Sequence, residues 1–118
     1  MKSQSPKLLF DALDSARAVQ AWCAVRSFDD YISDRQLRRA VEREFEIIGE
    51  SLNRLSSNDP ETASVIVELA RIVAFRNRII HGYDTVDDAT VWGIVTEHLP
   101  RLIARIERLL NESSARTP

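Results

Sequence analysis

Six apolar residues constrain this chain more than any other feature. Leu37, Val41, Phe45, Ile48, Leu52 and Leu55 recur in steps of four and three, which aligns them on one face of an α-helix. A half-buried strand would alternate by two instead. A helix with such a seam must bury it against other elements, and those elements also read as helices. Three glycines and four prolines in 118 residues are too few to turn a many-stranded sandwich or barrel. The length suits one domain, and 44% hydrophobic residues give it enough apolar surface for a core. The expectation is an all-α fold, an antiparallel bundle of four or five helices in a single domain spanning residues 1–118.

Punctuation in the sequence predicts where these helices begin and end. Ser5-Pro6 reads as a cap followed by a first-turn proline, opening a helix to about Arg26 with Leu9, Leu13, Ala16 and Ala24 on one side. Residues 27–33 read as a short turn carrying Phe28 and Tyr31. Ser33 with Gln36 has the capping-box spacing for the seam helix, which should run to about Ser56. Asp59-Pro60 starts the next stretch, either one helix or a short one followed by a longer one, ending at Gly82. Asp87 is positioned to cap a last helix in which Pro100 should force an irregularity, and residues 111–118 read as a frayed tail.

Charge and cysteine content narrow the functional classes. A formal net charge of −2 excludes a large electrostatic footprint for nucleic acid and leaves room only for a local basic patch. The cationic residues are nearly all arginine, Lys2 and Lys7 being the exceptions. A lone cysteine, Cys23, permits no internal disulfide and suits a reducing compartment. Without an apolar leader or a run of about 20 apolar residues, the expected setting is the cytoplasm, with no membrane partner. Cys23 and His98 have no companions at metal-ligand spacing, so no metal site is expected.

One segment departs from the pattern of core and solvated face. Arg76-Asn77-Arg78-Ile79-Ile80-His81-Gly82-Tyr83 is basic where the flanking chain is mixed, and it falls at an expected helix end. Asn77 and His81 are four apart and share a face. Arg76 and His81 are five apart, about 140° around the axis. Two readings fit this spacing. The histidine and arginines could satisfy the last carbonyls and solvate the helix edge, or a guanidinium and an imidazole could act together on a phosphate, since the first forks onto its oxygens and the second exchanges protons near neutrality. Gly49, in the middle of the seam helix, costs about 1 kcal/mol against alanine, which points to close approach by another helix or by Tyr83.

Arg76-Asn77-x-x-x-His81-x-Tyr83 resembles the signature motif of HEPN-domain proteins, in the form found in HepT-like toxins. Ala40-Val41-Glu42-Arg43 with Glu46-Ile47-Ile48-Gly49-Glu50 resembles the second-helix pattern of that family. Val86-Asp87, Val91-Trp92 and Leu99-Pro100 with Leu102 resemble its last-helix pattern. The resemblance covers roughly residues 40–110, and all four motif positions match.

The resemblance implies a homodimeric helical bundle whose two motif copies face one cleft and cleave RNA without a metal or other cofactor. His81 would be the general base or acid, and Arg76 would hold the phosphate. Asn77 and Arg78 would position the substrate, and Glu46 and Glu50 would border the cleft. It also implies a partner, an MntA-like minimal nucleotidyltransferase antitoxin, which would use ATP only as the donor of AMP to Tyr83. A different class shares the same fold and motif: a non-catalytic, nucleotide-binding helical partner subunit of a nucleotidyltransferase. A purely structural dimer is a third.

Overall fold

The computed structural model describes residues 1–81 and 87–116, and every regular element among them is helical. In chain order these are α1 (Ser5–Cys23), α2 (Phe28–Ser33), α3 (Arg35–Asn58), α4 (Pro60–Ala63), α5 (Leu69–His81) and α6 (Asp88–Gly93). A π turn (Ile94–His98) then leads directly into α7 (Leu99–Arg116).

The seam helix organises the rest. α3 buries Leu37, Val41, Phe45, Ile48, Leu52 and Leu55 and packs between α1 and α5, while α7 closes against α1. Leu9, Ala12, Leu13, Ala16, Val19 and Cys23 line the inner face of α1. Ala24 lies outside that stripe and is exposed. Val91, Ile94, Val95, Leu99, Leu102 and Ile106 complete the core from the last helical segment. Phe45 and Phe75 meet edge to face with centroids 5.2 Å apart, a favoured aromatic geometry that fixes α5 against α3.

Several helix ends differ from their sequence-based placement, each for a local reason. Residues 27–33 form the short helix α2, opened by a reciprocal capping box between Ser27 and Asp30. Ser33 is the last residue of α2, so it does not cap α3. Asp34 does, accepting from the Leu37 N–H at 3.0 Å. Tyr31 lies fully buried beneath Trp92, ring centroids 5.4 Å apart. Burial, with Glu42 and Asp88 nearby, pushes its phenol above the usual range.

The stretch after Asp59 divides into α4 and α5, with Val65 exposed and Ile66 taking the core position between them. Asp87 caps α6 through the Ala89 N–H. The irregularity expected at Pro100 takes the form of the π turn, in which the Leu99 N–H reaches the Ile94 carbonyl. This wider loop accommodates a residue that has no N–H and crowds the carbonyl four positions back. α7 continues past Leu110 to Arg116, so residues 111–116 are helical. The stop expected at Gly82 lies outside the described residues.

Ser5 has a different task from the one its neighbour Pro6 suggests. It is the first residue of α1, makes no cap, and donates its hydroxyl to Asp59 at 2.7 Å. Asp59 is buried and also accepts from the Thr62 hydroxyl at 2.6 Å and from the Lys2 backbone N–H at 3.0 Å. One carboxylate thus caps α4 and ties the chain's start to the α3–α4 corner. The Thr62 hydroxyl, the Lys2 N–H and the Ser5 hydroxyl hold its carboxyl well below the usual range. Its stabilising contribution is therefore complete above the ordinary carboxylate pKa of about 4 and is lost as the pH falls below it. Asp59→Asn should lower the melting temperature at pH 7 by several degrees and make the remaining stability less steep between about pH 5 and pH 2, as followed by circular dichroism.

Candidate functional site

Three residues of the motif lie on α5, and the helix sends them in different directions. Ile72 and Phe75 face inward and anchor α5 to the core. Arg76, the next residue, runs its side chain across α3 at Gly49. A Cβ placed on Gly49 would overlap the Arg76 Cβ and stand 2.5 Å from its Cγ. This is the close approach that a glycine inside α3 implied, and it is made by the arginine. The absence of a side chain at position 49 is what admits the aliphatic stem of Arg76.

The guanidinium emerges beside the acidic edge of α3. Its Nη2 lies 3.8 Å from Glu50 Oε2, and its Nη1 donates to the Asn77 side-chain oxygen at 3.1 Å. The Nε is buried and has no hydrogen-bond partner among the described residues. An unsatisfied buried donor is uncommon, and this one belongs to a side chain otherwise held at its stem. Glu50 also pairs with Arg54 at 3.1 Å, so its charge is shared between two arginines. Glu46 is turned to Arg43, at 2.9 Å. Glu50 therefore borders Arg76 directly, and Glu46 belongs to a neighbouring surface pair. Surface pairs of this kind contribute roughly 0–1 kcal/mol each.

His81 is the last residue of α5 and is exposed. Asn77 and Arg78 are exposed as well. Arg78 lies two positions after Arg76, hence about 200° around the helix, and lines the groove between α5 and α6. Arg76 and Asn77 are thus brought together beside Glu50, while Arg78 faces another surface. Tyr83 lies outside the described residues. Among the described residues no group of three or more histidine, cysteine or acidic side chains is placed to hold a metal ion. None of the described helices is long and apolar enough to cross a membrane.

Glu68, which no sequence pattern singles out, finds a buried partner in the fold. His98 and Glu68, 30 positions apart, meet at 2.7 Å with both side chains largely buried. Glu42 is half-buried on α3 and not fully solvated. Burial raises its carboxyl above the usual range, partly offset by Arg39.

The model of one protein family, described as "Ribonuclease HepT-like", matches residues 12–109. A protein of Methanocaldococcus jannaschii named "Putative RNase" is 33% identical over 99 residues, covering 84% of this chain and 90% of its own. The "Probable ribonuclease HepT" of Thermococcus cleftensis is 28% identical over 109 residues, 92% of this chain and 98% of its own. A "Putative RNase" of Caldanaerobacter subterraneus subsp. tengcongensis is 31% identical over 86 residues, 73% of this chain and 76% of its own. No solved structure matches the chain at a significant level. The fold and motif define an all-α HEPN-type protein. The chain belongs to the HepT-like ribonuclease family.

The Gly49–Arg76 contact leads to an outcome opposite to helix propensity. Alanine should stabilise a helix interior by about 1 kcal/mol over glycine. Here Gly49→Ala must displace the Arg76 stem, an overpacking cost of about 1–3 kcal/mol. The variant should melt below the unsubstituted protein in a thermal denaturation experiment.

Proposed function

We propose that this protein is an endoribonuclease that cuts RNA by attack of a ribose 2′-hydroxyl on the adjacent phosphate, in a cleft shared by two copies of the chain. Family membership supports RNA cleavage. The observation that carries the assignment of roles is the placement of Arg76, its stem locked over Gly49 and its charged end at the surface beside Asn77, on the same helix that ends in His81.

The chemistry follows from those groups. His81 takes the proton from the 2′-hydroxyl, and the freed oxygen bonds to phosphorus. The bond from phosphorus to the 5′-oxygen breaks, and that oxygen gains a proton from the imidazolium of the second copy. The products are a 2′,3′-cyclic phosphate and a 5′-hydroxyl end. Arg76 neutralises the charge that builds on the non-bridging oxygens, where a preorganised donor is worth most, and Asn77 holds the guanidinium in place. A lone histidine cannot easily attend both sides of a phosphorus centre. Two copies facing one cleft supply the second imidazole, and no metal is required.

Regulation follows the same electrostatics. A minimal nucleotidyltransferase antitoxin that transfers AMP from ATP to Tyr83 would place negative charge and bulk two residues from His81, where RNA phosphate must bind. In that setting the protein is the toxin of a toxin–antitoxin pair.

His81→Ala and Arg76→Ala should each lower RNA cleavage by about 10²–10⁴-fold with unchanged helicity. Cleavage by the unsubstituted protein should persist in EDTA and leave cyclic phosphate ends. Full activity of a clean His81→Ala preparation would refute the assignment. Intact-mass spectrometry after co-expression with a minimal nucleotidyltransferase should show added AMP, and Tyr83→Phe should abolish it.

A further inference from the structure

α5 leans on α3 and leaves its other side open. Between α5 and the α6–π-turn segment runs a groove of about 590 Å³ lined by Arg71, Arg78, Glu97 and His98, with Phe75 on its floor. A second groove, of about 270 Å³, lies between the α4–α5 connection and α7, where Glu68, Arg101 and Arg105 line it. The Glu68–His98 pair bridges them, His98 lining the first groove and Glu68 the second, its oxygen–nitrogen distance 2.7 Å. The buried carboxylate of that region is therefore already engaged by an imidazole.

The arginines around these grooves, like Arg35, Arg38, Arg39 and Arg108 elsewhere, form no ion pair among the described residues; what sets them apart is that they cluster along grooves. Arg17, Arg26, Arg43 and Arg54 each have a carboxylate within 2.6–3.2 Å. Arg71, Arg78, Arg101 and Arg105 have none within 4.0 Å among the described residues. Arg71 and Arg78 are seven residues apart, so they share a face of α5 about 10.5 Å from each other. Arg101 and Arg105 are four apart and share a face of α7. Among the described residues Glu97 is the one exposed carboxylate lining the first groove. In a chain with more acidic than basic residues, four arginines with no acidic partner among the described residues, along two neighbouring grooves, form a local positive field that the net charge conceals.

We propose that this track of Arg78, Arg71, Arg101 and Arg105 binds the backbone of single-stranded RNA flanking the cleavage point. The inference rests on the ribonuclease reading of Arg76 and His81. The track begins at Arg78, one helical turn before His81, so a strand held at His81 passes into it. Guanidinium groups read phosphate by charge and bidentate hydrogen bonds. Among the described residues that line the grooves the one aromatic ring is Phe75, and it is buried. Recognition is therefore led by the backbone, tolerant of sequence and strongly dependent on salt. The substrate class that fits is an RNA with an unpaired segment of several nucleotides beside the cut, in preference to a minimal dinucleotide.

The test uses the dimer-competent full chain and two arms. In the first, His81→Ala protein is titrated into a labelled single-stranded RNA of about 12 nucleotides at several salt concentrations. Adding Arg71→Gln, Arg101→Gln and Arg105→Gln should weaken binding at least tenfold near 0.1 M salt and flatten the logarithmic salt slope by about 2. In the second arm, the same three substitutions in the active protein should lower kcat/KM on the long RNA and leave dinucleotide cleavage unchanged. If the triple variant melts early, the double variant Arg71→Gln/Arg101→Gln, at two exposed positions, serves in both arms. Unchanged affinity and slope would overturn the proposal. So would an equal loss on the dinucleotide, or a loss confined to binding of an acidic protein partner. If neither RNA is cut by the unsubstituted protein while the first arm gives the expected losses, the track stands and the ribonuclease reading fails.

Discussion

The crossing of α3 and α5 at Gly49 is the contact on which the candidate site depends. A glycine in the interior of a 24-residue helix is a local defect, and the seam on either side compensates for it by burying six large apolar side chains. The defect admits the stem of Arg76. An arginine on an open helix face samples many rotamers, and ordering it on a ligand costs about 2 kcal/mol of side-chain entropy. Pressed into α3, this side chain has lost much of that freedom before any ligand arrives. Glu50 and Asn77 then define where its charged end lies.

α5 separates its tasks by rotation about its own axis. Ile72 and Phe75 hold it to the core, and Arg76 turns into α3. Arg71 and Arg78 face the open groove, and His81 stands at the end. Thirteen residues make fewer than four turns, so these faces are crowded, and each is only a few residues wide. The helix tolerates exposed Ile80 at 47% accessibility within this arrangement, which leaves an apolar side chain beside the polar ones near the motif.

Local patterns were legible and long-range ones were not. The seam of α3, the caps at Asp59 and Asp87, the disturbance at Pro100 and the meaning of Gly49 all follow from spacing or from the conformational cost of one residue type. The cap of α3 is ambiguous in sequence because Ser27, Ser33 and Asp34 all carry cap chemistry within eight positions: the Ser27–Asp30 capping box opens a separate short helix that takes Ser33 as its last residue and leaves Asp34 to cap α3. Ser5 reads as a cap by its neighbour, yet its partner is Asp59, 54 residues away. Glu68 and His98 are likewise invisible as a pair in the sequence. The motif was readable by resemblance, but the direction of each side chain was not: Arg76 and Arg78, two letters apart, serve opposite faces.

The π turn ahead of Pro100 has a consequence for how this chain can change. A π turn amounts to one residue inserted in a regular helix, so removing a residue from 94–98 would preserve the inward faces of both α6 and α7. It would also bring the proline ring back against a carbonyl. The turn and the proline are therefore coupled: loss of the extra residue is tolerable only after Pro100 has been replaced, and the order of those two changes decides whether the last helix of the bundle survives the intermediate.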